Sequence, residues 1–140
     1  MHEALWDIFL VALGYSLKML QDVKRSNRDR AALVRQPLLE SIARASDRAH
    51  SYYTESLNQD DRQRSLTLIS SDLSRIGRDI QRALNLGHLS DTGIRVAFKS
   101  FHDAASNDKV KEDEFPLART DSRIRRLQEA EGRLRDFLST

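Results

Sequence analysis

Residues 60–87 read DDRQRSLTLISSDLSRIGRDIQRALNLG, and the spacing of their apolar side chains decides the class of fold. Leu66, Ile69, Leu73, Ile76, Ile80 and Leu84 recur at intervals of three and four, the period of one helix face. Asp60 with Gln63 makes a capping box at the start, and Gly87 suits the left-handed position after the last turn. The stretch is predicted to form one long amphipathic helix.

Working outward, residues 36–57, QPLLESIARASDRAHSYYTESL, carry a second stripe of Leu38, Ile42, Ala45, Ala49 and Tyr52. Pro37 fits a first helical turn, where its missing N–H costs nothing. The small residues in mid-stripe let a neighbouring helix come close. The connection LNQDD is short enough to turn the two helices antiparallel. Downstream, residues 92–108 place Ile94, Ala97, Phe98, Phe101 and Ala105 on one face, and DKVKEDEFPLART reads as an exposed charged linker broken by Pro116. A last helix capped by Asp121 aligns Ile124, Leu127, Leu134 and Leu138. Glu129 with Arg133 and Glu131 with Arg135 make favourable i,i+4 pairs on its other side.

The expected fold is all-α: a four- to five-helix, mostly antiparallel bundle with an apolar N-terminal helix. Its expected divisions are residues 1–35 (the apolar helix with a basic C-terminal extension), 36–107 (the bundle core), 108–120 (the linker) and 121–140 (the C-terminal helix). The first helix begins near Glu3 and runs past Arg30. Whether it joins the Pro37 helix is open, because KRSNRDRAALVRQ (24–36) holds no strong breaker.

Composition agrees with this class. In 140 residues, 39% are hydrophobic and 31% charged, enough for one globular domain with a real core. Two prolines and five glycines are too few for a turn-dense sandwich or barrel. The absence of cysteine excludes a disulfide framework and a thiolate metal site and suits a reducing cytoplasm. The opening MHEALWD lacks the basic region of a secretory signal. A net charge of +2 is too small to act as a single-sign field.

Signals for chemistry are weak. The glycines at 14, 77, 87, 93 and 132 assemble neither a phosphate-binding loop nor a dinucleotide fingerprint. GYS at 14–16 lacks the second glycine of a nucleophile elbow. Asp47 and His50 share a carboxylate-x-x-His spacing, but a di-iron bundle needs two copies and further carboxylates. Asp72 and Asp79 lie among Arg75, Arg78 and Arg82, as ion pairs on a solvated face do. No catalytic residue, metal ligand or cofactor site is assigned.

One stretch stands apart. In DIFLVALGYSLKML (7–20), residues 8–15 are apolar or small at every position. An ordinary amphipathic helix would place a charge there. Asp7 and Lys18 bracket only ten residues, and even Leu5 to Leu20 reaches about 24 Å as a helix, short of the ~30 Å hydrocarbon layer. Because the four downstream stripes suffice to close a bundle, Leu5, Trp6, Ile8, Phe9, Leu13 and Leu17 are expected to meet a protein partner or another copy of the chain.

The sequence thus reads as a non-catalytic helical interaction or assembly subunit. One alternative is a membrane-tethered cytoplasmic bundle, a sensor or effector at the inner face of a membrane. There the bracketing charges give the positive-inside asymmetry, and Trp6 and Tyr15 serve as interfacial aromatics. The other is a nucleic-acid-binding accessory protein using Lys24, Arg25, Arg28, Arg30 and Arg35. These five are candidate contacts for phosphates or lipid headgroups, although no aromatics are interleaved for base stacking.

Overall fold

The computed structural model of the chain describes residues 2–106 and 110–139, apart from the side chains of residues 2, 27, 28 and 31. Among them are four α-helices and one 3-10 turn: α1 (His2–Thr54), α2 (Gln59–Asn85), α3 (Ile94–Ala105), the turn Glu112–Glu114, and α4 (Ser122–Ser139). No strand occurs among the described residues. The fold is an all-α bundle, as the periodicity predicts.

The chain divides into two compact units, Met1–Leu33 and Val34–Thr140. The second unit holds the closed core. From α1 it takes Leu38, Ile42, Ala45, Ala49, Tyr52 and Tyr53, and from α2 Ile69, Leu73, Ile76, Ile80 and Ala83. Phe101 and its neighbours come from α3, and Ile124, Leu127, Leu134 and Leu138 from α4. Every residue of the expected α1 and α4 stripes is buried, while Leu66, Leu84 and Phe98 flank the core half-buried.

Cross-helix contacts give the directions. Arg48 pairs with Asp72 at 2.8 Å, while Leu38 shares a cleft with Ala83 and Ser51 shares one with Ser65. Positions that rise along α1 thus meet positions that fall along α2, so the two run antiparallel. Helix α4 runs back along α3, because the Phe137 ring lies beside Gly93 at the start of α3. The buried Ser46 hydroxyl donates to Glu131 Oε2 at 2.6 Å, tying α1 to α4. The Tyr53 hydroxyl donates to the carbonyl oxygens of Ala104 and Ala105 at 3.1 and 3.3 Å, satisfying orphan acceptors at the α3 C-terminus.

Three glycines stand where geometry favours them. A Cβ on Gly77 would lie 3.2 Å from the Phe98 ring, where α2 and α3 approach closely. Gly93 caps α3 at φ +112°, and a Cβ there would meet Phe137 at 3.1 Å. Gly87 takes the left-handed position at φ +74°, and the next residue's N–H donates to Ala83 O at 2.9 Å in a Schellman closure.

Local expectations need three corrections. Pro37 lies inside α1 rather than in a first turn. Its ring removes one helical N–H donor, yet the leucine and isoleucine that follow are anchored in the core, and tertiary packing outweighs the local loss. Asn58, not Asp60, caps α2: its side-chain oxygen accepts the Asp61 N–H at 2.8 Å. Asp60 falls in the first turn instead, where its charge suits the helix dipole. The linker is only partly exposed. Residues 107–109 lie outside the described residues, but Leu117 is 6% exposed and its N–H donates to Tyr53 O at 2.7 Å. Phe115 stacks on Tyr53, meets Tyr52 edge-on and carries the Arg62 guanidinium 3.9 Å above its ring. This apolar anchorage inside a charged run escapes a reading based on period.

At the entry to α4, Asp121 acts as the expected cap, accepting the Arg123 N–H at 2.9 Å. The Arg123 guanidinium folds back on Asp121 at 3.0 Å and on Glu114 at 2.6 Å. Its hydrogen bonds hold the Asp121 carboxyl down at about 2 and depress that of Glu114. On α4, Glu131 also receives Arg135 at 3.4 Å, the expected i,i+4 partner.

Candidate functional site

The N-terminal unit inverts the usual distribution of apolar side chains. Between Leu5 and Val23 of α1, twelve large apolar residues are exposed, from 48% at Leu13 to 73% at Val11. Leu5, Trp6, Ile8, Phe9, Leu13 and Leu17, the residues singled out for docking, are all among them. Soluble monomers rarely carry a contiguous apolar patch larger than a few hundred Å².

At 100° per residue, the apolar positions are not spread evenly around the helix. Leu5, Phe9, Leu13, Leu17, Leu20 and their neighbours occupy an arc of roughly 200°. The remaining strip holds Asp7, Gly14, Lys18, Gln21, Asp22 and Arg25, with Val11 and Tyr15 intruding. The two turns from 8 to 15 show no polar side because they fall between the charges of this strip. Over the longer helix, the segment is amphipathic with a very wide apolar face.

Side-chain geometry keeps that face apolar. Trp6 and Phe9, three residues apart, pack edge to face with centroids 6.1 Å apart. Ser16 lies within the apolar arc, but its hydroxyl donates to the Ala12 carbonyl oxygen at 2.9 Å, so its donor is spent on the helix itself.

The basic positions form no common face. Lys24, Arg25 and Arg30 are exposed, but the helical period sets them roughly 100–140° from one another around the axis. Arg35 belongs to the second unit and is half-buried, its Nε enclosed without a hydrogen-bond partner. The Arg28 side chain lies outside the described residues. No described helix is long and apolar enough to cross a membrane.

The bundle offers little competition as a site. Among the described residues, a cleft of about 200 Å³ lies among Val34, Pro37, Leu38, Asp79, Arg82 and His88, below the ~300–1,000 Å³ of ordinary small-molecule pockets. A hollow of about 550 Å³ lies over Asp60, Gln63, Arg64, Thr67 and Leu68, all from α2, so only one helix walls it. Asp72, read from the sequence as an ion-pairing residue, pairs with Arg48 of α1. Among the described residues no three histidine, aspartate or glutamate side chains converge as a metal site, and Asp47 and His50 gain no further ligand. No family model, no curated protein and no solved structure matches this chain.

Proposed function

We propose that this chain is a non-catalytic assembly subunit that docks, through the apolar face of residues 5–23, on a partner chain or on another copy of itself. One observation carries the reading: the core of residues 34–140 closes without that face, which stays open to solvent. Apolar surface beyond what a fold can hide is the ordinary mark of an interface. The spent hydroxyl of Ser16 strengthens the case, since it removes a polar group from the middle of the contact.

A membrane surface is the weaker reading. Helices that lie on lipid are rich in lysine and arginine on the polar face. Here Asp7 and Asp22 balance Lys18 and Arg25 on the strip. Nucleic-acid binding is weaker still, because cations scattered around a helix cannot track a phosphate backbone together.

The test is Phe9→Asp. The variant should keep the helical signal and melting temperature of residues 34–140 while losing its oligomer or its stoichiometric partner, read by light scattering and by affinity purification from the native host. A parent chain that is monomeric and brings down nothing that Phe9→Asp loses would overturn the proposal.

A further inference from the structure

The charges along the N-terminal unit say which occupant the apolar face suits. Resting on the docking reading above, we propose that the face is covered by further copies of the same chain, packed antiparallel as a bundle of four N-terminal segments. The acidic residues Glu3 and Asp7 stand at one end of the segment, and at the other Lys24 and Arg25 outweigh Asp22. A parallel neighbour sets like charge beside like. An antiparallel neighbour centred on Gly14 sets the Glu3–Asp7 end of each copy beside the Lys24–Arg25 end of the next, and aligned helix dipoles favour the same choice.

The antiparallel register also keeps the apolar faces in full overlap. Leu5 and Val23 are 18 residues apart, a whole number of turns at 3.6 residues per turn, so they lie on one line of the helix. Turning a second copy around Gly14 places Leu5 beside Val23, with Phe9 beside Met19. Charge within residues 3–25 sums to zero, three acids against three bases, so the segment is self-complementary and has little attraction for an anionic surface.

Area sets the number of copies. A 200° arc on a helix about 10–12 Å wide and roughly 27 Å long presents on the order of 600 Å². Two helices in contact cover only part of each arc, which falls short of the ~1,200 Å² that specific stable interfaces bury. In a four-helix arrangement each segment has two antiparallel neighbours and a diagonal one, and the whole arc is enclosed.

Because the chain has no cysteine, the arrangement can be read directly from introduced thiols. Full-length Leu5→Cys and Val23→Cys chains, mixed and oxidised, should give the mixed disulfide in preference to either symmetric one. The unmodified chain should scatter light as four times its 16.1 kDa mass. Glu3→Lys with Asp7→Lys should weaken assembly about tenfold, and mixing with Lys24→Glu, Arg25→Glu chains should restore it.

Symmetric Leu5→Cys disulfides would overturn the antiparallel order. A monomer at high concentration would overturn self-assembly. That holds too if the monomer sediments with neutral phosphatidylcholine vesicles, which would give the face to lipid. If Phe9→Asp with Leu13→Asp left the oligomer intact, the docking reading itself would fail along with the proposal.

Discussion

Phe9 and Phe101 are the same side chain in two opposite settings. Phe101 is fully buried in the core of residues 34–140, whereas Phe9, in residues 1–33, is 56% exposed. Both belong to stripes with helical spacing, so periodicity does not separate them. What separates them is width. The core stripes are narrow and bordered by charge, as in α2, where half-buried Asp72 and Asp79 flank the stripe and Arg75 and Arg78 face outward. The stripe around Phe9 exceeds half the circumference, more than one neighbouring layer covers. A narrow stripe describes a helix completed by its own fold; a wide one carries more apolar surface than one neighbouring layer covers, which is the basis of the docking proposal.

The comparison can be broken most sharply at the two phenylalanines. Phe101→Ala should lower stability by about 3–5 kcal/mol, because a large cavity opens in a closed core. Phe9→Ala should change the stability of the monomer by less than about 0.5 kcal/mol. Urea unfolding at concentrations low enough to keep the chain monomeric checks both. Comparable losses at the two sites would mean that the N-terminal unit belongs to the core after all.

A smaller effect sharpens the account of how the second unit closes. Gly93→Ala forces a side chain into a left-handed cap against the Phe137 ring and should cost about 1–3 kcal/mol. A thermal melt with a midpoint as high as the parent's would show that this junction yields easily.

The smallest effect concerns acid. Asp121 has its carboxyl lowered from 3.8 to about 2 by Arg123, so it is ionised in the folded chain at a pH where the unfolded chain takes up a proton. Its contribution to stability is therefore complete above about pH 4 and is lost as pH falls toward 2. Asp121→Asn should flatten the urea midpoint over that interval and leave its shape near neutrality unchanged. An equally steep acid limb in the variant would place the acid sensitivity elsewhere, with Glu114 the next group to replace.

Much of the bundle was legible because burial on one side of a helix writes itself at intervals of three and four. Leu38, Ile42, Ala45 and Ala49 were named by spacing alone, and all are buried. Spacing singles out Tyr52 and leaves Tyr53 unread, because Ala49 is followed by aromatics at both three and four residues. Both rings are inside, and the Tyr53 hydroxyl does the bonding to α3. Leu89 and Leu117 were missed because loops have no period to read. The continuity of α1 through Pro37 was invisible because local propensity says nothing about the packing that holds residues 38–53 in place. At the candidate site, the apolar character of residues 5–17 was plain. Its polar strip was not, since residues 8–15 place no charge on it and only Asp7 and Lys18, on either side of them, mark the same face.

The division between the two units is tested most directly by a chain that begins at Val34, compared in urea with the full-length Phe9→Asp, Leu13→Asp chain. The two should unfold in one cooperative transition with the same midpoint and the same slope, because residues 1–33 contribute nothing to the core. Loss of the cooperative transition, or a fall of more than about 2 kcal/mol, would show that the N-terminal segment is a structural part of the fold and not its docking surface.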